Sequence, residues 1–179
     1  MAGCRLATHS GPIGSDPAMS VVIKALQVAG GIVAICPCPG GDGEFDADMA
    51  HIRDWKPALV ISLTPSAEMA ALGCADLGAR FIEQGARWLH FPIEDFGVPG
   101  EIDTKTWGEI EARALAALRG GGRVLIHCRA GRGRSGMIAL RLMIAGGERP
   151  VAALKRLRAV QPEAVETPGQ MNWATGKHG

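Results

Sequence analysis

Residues 127–136, HCRAGRGRSG, gather three arginines and three glycines around one cysteine, directly behind the apolar run RVLI. An apolar strand that runs into a glycine-rich turn and then a helix aims a row of backbone N–H groups and a helix N-terminus at one point. That arrangement is an anion site. Glycines are needed because the backbone must approach the ligand and adopt conformations that a side chain forbids. The pattern GxxxxGK[ST] of a nucleotide-binding loop is absent, and a cysteine opens the loop in its place. Cys128 stands among those N–H donors, a helix N-terminus and three guanidiniums, surroundings that favour the thiolate, its nucleophilic form. Arg134, folded back by the loop, is suited to hold two oxygens of a phosphate bidentately. A thiolate facing a phosphate so held is set for in-line attack on phosphorus. The Ser135 hydroxyl, next along, can steady the sulfur as a leaving group. The main chain of Ala130, Gly131 and Gly133 completes the expected cradle, and no metal is called for.

The stretch HCRAGRGRS fills every obligatory position of H-C-x5-R-S/T, and so resembles the active-site loop of the cysteine-based protein tyrosine and dual-specificity phosphatases. The resemblance implies a cysteinyl-phosphate intermediate with no metal or other cofactor, and gives His127 the role of setting the environment of Cys128. The loop itself offers no proton for the leaving alcohol, so a carboxylic acid on a mobile segment has to supply one. FPIEDFGVPG (91–100) ends a strand and carries Pro and Gly on both sides. It is similar to the acid loop of kinase-associated phosphatases, of the form PIxDxGxP, which implies Asp95 as general acid rather than its neighbour Glu94. Asp103 is better explained by a helix start. CPCPG near the N-terminus and ETPGQMNW (166–173) resemble the same subgroup. By that likeness Gln170 positions the water that hydrolyses the phosphoenzyme; the other reading is an exposed helix residue.

Which phosphate such a site takes is less determined. The chain has no tyrosine, so the tyrosine-bearing wall of the larger tyrosine-specific enzymes is absent in its usual form. The length suits the smaller dual-specificity type, which admits phosphoserine and phosphothreonine beside phosphotyrosine. Phe96, next to the acid, either flanks a phenyl ring or anchors its loop by packing. Arg129 and Arg132 are not required by the loop's chemistry. A phosphoinositide 3-phosphatase tumour suppressor has lysines at the matching places, so these two cations favour a substrate with further phosphates, or else they only tune the cysteine and pair with rim carboxylates. A phosphorylated protein or peptide ranks first as partner and a phosphoinositide or inositol phosphate second. A silent phosphate-binding module would normally have lost the cysteine or the arginine, and a rhodanese-type sulfur enzyme would lack the acid loop.

The elements that must position these residues follow an alternating pattern. SVVIKALQV (20–28) and GIVAICP (31–37) flank Gly30 as a hairpin. ALVISL (58–63), RWLHFPI (87–93) and RVLIHC (123–128) read as buried parallel strands. Helical stretches lie between them, the second and third as one or two pieces over 66–85. Asp46 and Asp48 suit the positive end of a first helix. Thr106 and Glu109 form a capping box for a helix burying Trp107, Ile110, Ala114 and Leu118. SGMIALRLMIA (135–145) is apolar nearly all round, as a core helix is. Pro150 opens a helix with Val151, Leu154, Leu157 and Val160 inward, and a last helix surrounds PGQMNWAT. The class expected is α/β, a central, mostly parallel sheet with helices on both faces.

With 179 residues, 47% of them hydrophobic, one domain over 20–179 is expected, preceded by a flexible segment 1–19. A formal net charge of +1 gives no global attraction to nucleic acid. No run approaches the roughly 18–20 apolar residues of a membrane span. Five scattered cysteines, Cys4, Cys36, Cys38, Cys74 and Cys128, argue for free thiols in a reducing compartment, with the cytoplasm as the default. Cys36, Cys38 and Cys74 are each candidates to trap an oxidised Cys128 as a disulfide. Oligomeric state is not legible.

Overall fold

The computed structural model describes residues 21–41 and 43–176, so the expectation for 1–19, and Cys4 with it, lies outside the described residues. The described residues begin with the expected hairpin, its first strand shorter than read: β1 (Lys24–Val28), which leaves out 21–23, pairs antiparallel with β2 (Gly31–Cys36). Ala29 and Gly30 turn it at φ +51° and +93°, and positive φ at both central residues matches the twist of a tight hairpin. The other strands are β3 (Leu59–Ser62), β4 (Arg87–His90) and β5 (Arg123–His127), and the sheet order is β1-β2-β5-β3-β4. All pairings except β1 with β2 are parallel. The sheet is therefore mostly parallel, as the alternating pattern implied.

Alternate strand residues feed two separate cores. Val33, Ile35, Leu59, Ile61, Val124 and Ile126 pack against α4 (Thr104–Arg119), α5 (Gly133–Ala145), α6 (Pro150–Val160) and α7 (Pro168–Thr175). Ala34, Cys36, Val60 and Leu125 face α1 (Phe45–Trp55), α2 (Ser66–Ala71) and α3 (Leu77–Glu83). Both faces of a parallel strand are thus buried, which is why β3 and β5 read as continuous apolar runs. The parallel strands all end at one edge of the sheet. The segments following β2, β3, β4 and β5 meet there, β5 being central, and open α/β sheets bind ligands at such an edge.

Several expectations needed correction. Helix α4 starts at Thr104, so Thr106 and Glu109 lie inside it rather than capping it. A short 3-10 turn, Glu101–Asp103, leads in, and Asp103 Oδ2 accepts from Gly100 N at 2.8 Å, the helix-start role read for it. Val151 is 83% exposed. Ala153 and Leu157 set the buried stripe of α6, and a residue two places before Ala153 lies about 200° round the helix. Asp48 does more than suit a helix dipole: fully buried, it accepts from Val21 N at 3.1 Å and Gly40 N at 2.8 Å, tying the loop after β2 to the start of the described chain. Strand β4 ends at His90 rather than Ile93. The helical stretch over 66–85 is two pieces, α2 and α3.

Candidate active site

Cys128 follows directly on β5 and is buried, with its Sγ 3.3 Å from Ser135 Oγ on the first turn of α5. The intervening loop can only run as it does with glycine at 131. Gly131 has φ +67°, and a Cβ there would stand 2.6 Å from Cys36 C and Pro37 N. The loop is strapped by its neighbours: Cys38 N donates to Arg129 O at 3.1 Å and Gln161 Nε2 to Gly131 O at 2.8 Å. Ala130, Arg132 and Gly133 complete the turn into α5, and Arg129 and Arg132 point outward as exposed side chains.

Arg134 is among the largest fully buried side chains. Its Nη1 donates to Glu68 Oε2 at 2.8 Å and to Ile93 O at 3.0 Å, and its Nη2 donates to Glu68 Oε1 at 3.0 Å. A guanidinium has five N–H donors. Three are spent on Glu68 and Ile93, leaving Nε–H and one Nη2–H, a parallel pair along one side of the fork. Asp95 Oδ1 sits 3.2 Å from Nη2. The carboxylate of Glu68 therefore sets the roll of the guanidinium, Asp95 lies against its remaining Nη2 side, and Nε–H has no described partner. Hydrogen bonding to Arg134 holds the Glu68 carboxyl below the ordinary carboxylate range, against a smaller opposing effect of burial. Glu68 lies 66 positions away in sequence, on a short helix that read as ordinary, and no local pattern marks it.

His127 is fully buried, and burial pushes its imidazole down to about 3, with His90 and Arg134 pushing the same way. It is neutral at physiological pH. Trp88 Nε1 donates to Ser62 Oγ at 2.8 Å, and Ser62 Oγ lies 2.5 Å from His127 Nε2. An indole N–H only donates, so the serine oxygen accepts from Trp88 and bridges it to the His127 ring. Trp88 is clamped between His90, stacked at 5.4 Å, and Gly78, where a Cβ would meet the indole at 2.6 Å. Ser62 and Trp88 were not foreseen as parts of the site; they come from two different strands.

The acid segment after β4 is a tight turn, Gly97 N donating to Glu94 O at 2.9 Å. Asp95 stands half exposed on it and also accepts from Phe96 N at 3.2 Å. Glu94 is exposed. Phe96 is 60% exposed with φ +58°. It does not anchor its loop by packing, and a left-handed non-glycine residue carries strain of about 1–2 kcal/mol. Gln170 is fully buried rather than an exposed helix residue. Its Oε1 accepts from Glu166 N at 2.9 Å, and its Nε2 donates to Gly97 O at 3.4 Å. A Cβ on Gly133 would come within 3.1 Å of its amide and 2.1 Å of Glu166 Oε2. Gln170 thus touches both the acid segment and the cysteine loop.

Of the two loop arginines, Arg132 pairs with Glu163 at 3.1 Å, the rim-carboxylate arrangement. Arg129 has no ion pair among the described residues. Of the thiols named as redox candidates, Cys36 neighbours Cys128. Cys38 and Cys74 lie 3.4 Å apart, paired with each other, and all four described cysteines are free and buried. Cys36, in register with His127, is held as a thiol, its proton loss opposed by burial and by neighbouring Cys128.

No family profile and no curated protein sequence matches the chain. Solved structures do. A kinase associated phosphatase whose catalytic-site cysteine is replaced by serine superposes with a TM-score of 0.78 at 20% identity, over 90% of this chain and 99% of that one. Tk-PTP in its active form gives 0.68 at 28% identity, over 86% and 95%. PTPMT1 in complex with PI(5)P gives 0.68 at 18% identity, over 87% and 94%. The chain has the fold of the cysteine-based dual-specificity phosphatases. Among the described residues, no helix is long and apolar enough to cross a membrane.

Proposed function

We propose that the chain is a cysteine-dependent phosphomonoester hydrolase acting on phosphoprotein, phosphotyrosine first, with phosphoserine and phosphothreonine admitted. The observation that carries this reading is the convergence of Cys128, the buried Arg134 guanidinium and the Asp95 carboxyl at one edge of the sheet. The phosphate sits on the main-chain N–H groups of residues 129–134, and Arg134 Nε and Nη2 hold two of its oxygens. Cys128 Sγ attacks phosphorus, forming the S–P bond as the ester P–O bond breaks, and Asp95 delivers its proton to the leaving oxygen. Water then attacks phosphorus and loses a proton to Asp95. The S–P bond breaks, and the thiolate leaves with a hydrogen bond from Ser135 Oγ. Gln170 orients that water from between the acid segment and the loop. His127 keeps the backbone at Cys128 in place, and exposed Phe96 flanks the substrate's ring.

A phosphoinositide substrate is the second reading, favoured by Arg129, an exposed cation of the loop, and by the likeness to PTPMT1, whose structure holds PI(5)P. The test is phosphate release from a phosphotyrosine peptide and from a soluble phosphatidylinositol trisphosphate, side by side, with Cys128→Ser as blank. Faster peptide turnover is expected; faster inositide turnover reverses the ranking. No release from either, with wild type equal to the blank, overturns the enzyme.

A further inference from the structure

Beside the cysteine loop, on its β1 side, lies a hollow of about 330 Å³ lined by Lys24, Arg132, Gln161 and Glu163, with Val22 at its lip. We propose that it is a second anion subsite, taking an acidic side chain of the phosphopeptide whose phosphate occupies the Cys128 loop; this rests on the phosphatase reading. Lys24 is half-buried, and its ammonium donates to Gln161 Oε1 at 2.8 Å, a neutral acceptor. No carboxylate pairs with it among the described residues, and a cation withdrawn from water without a counter-ion is costly. An incoming acid would supply that counter-ion. Arg132 spends Nη1 on Glu163, and its other donors have no described partner. Two cations therefore face a single carboxylate.

The hollow is coupled to the chemistry by its own wall. Buried Gln161 accepts from Lys24 with Oε1 and donates to Gly131 O with Nε2 at 2.8 Å, so the subsite and the loop share one hydrogen-bonded frame. Ala130, Gly131 and Arg132 form the ridge between the cradle and the hollow. A substrate filling both must straddle that ridge. The occupant favoured is an extended peptide. β1 is an edge strand with no described strand on its outer side, Val22 beside it is 59% exposed, and edge strands accept peptide main chain.

The experiment uses phosphotyrosine peptides of neutral sequence in which one glutamate is walked through the four positions on either side. p-Nitrophenyl phosphate and a short-chain phosphatidylinositol bisphosphate run alongside. Wild type, Lys24→Gln and Lys24→Arg are compared. In one register the glutamate should lower KM by about fivefold. Lys24→Gln should erase that gain, Lys24→Arg should keep it, and turnover of p-nitrophenyl phosphate should be equal in all three. The subsite is overturned if no register gains, if the gain survives Lys24→Gln, or if the inositide outperforms every peptide and loses that advantage in Lys24→Gln. Should p-nitrophenyl phosphate not be hydrolysed at all, it is the enzyme reading that fails. The same peptide set then decides the subsite through Kd: a register preference lost in Lys24→Gln supports it, and no preference overturns it.

Discussion

Acidification from pH 7.5 to 5 should destabilise the chain through one imidazole, and the size of the effect follows from where His127 sits. Folded, His127 is fully buried and burial holds it down to about 3; unfolded, an ordinary histidine takes its proton near 6.5. The unfolded chain therefore binds more protons than the folded one between those values, and stability rises with pH across that window. It is complete above about pH 6.5 and is lost progressively as pH falls towards 3. At pH 5 the unfolded imidazole lies about 1.5 pH units below its midpoint, a loss of about 2 kcal/mol. For a chain of this size that lowers Tm by about 4–8 °C. Urea unfolding at pH 7.5 and 5.0 would be measured for wild type and for His127→Asn, which keeps a polar group near Ser62 but no titrating ring. The other histidines are common to both proteins, so the comparison isolates His127. If wild type loses no more stability on acidification than the variant, the assignment of His127 as a buried neutral imidazole is refuted.

Glu68→Gln keeps the size of the side chain and removes the charge that fixes the Arg134 fork; kcat/KM for p-nitrophenyl phosphate should fall about 10- to 100-fold, and an unchanged value would mean that Glu68 does not orient the guanidinium. Asp95→Asn should cost a phosphotyrosine peptide about 100-fold or more in kcat but cost p-nitrophenyl phosphate far less, because nitrophenolate leaves without a proton; equal losses on both substrates would remove Asp95 from the acid role. Gly131→Ala forces a side chain into a left-handed residue whose Cβ meets backbone at 2.6 Å, so denaturant unfolding should show a loss of at least about 2 kcal/mol together with loss of phosphate release, and a variant that matches wild type in both would contradict the loop geometry.

The sequence by itself determined the alternation of strands and helices, the cysteine loop and the acid segment. These signals are local: an apolar run, a glycine pattern and a fixed five-residue gap between Cys128 and Arg134 survive without knowledge of the fold. The segment 91–100 was legible as a loop because Pro and Gly punctuate it, and the choice of Asp95 within it came from the family resemblance. Errors clustered where tertiary contacts override a local motif, as at Thr106, where an aspartate one turn earlier takes the helix start, and at Val151, where the phase of α6 is set by what it packs on. Only the tertiary structure decided that Glu68 fixes the Arg134 fork and that Trp88 and Ser62 brace the His127 ring. It alone paired Cys38 with Cys74 rather than with Cys128, and brought Lys24 to the loop through Gln161. Each of these joins residues between 26 and 137 positions apart. Such pairs form because parallel strands end at one edge of the sheet and deliver distant segments to the same place, and no spacing along the chain encodes that meeting.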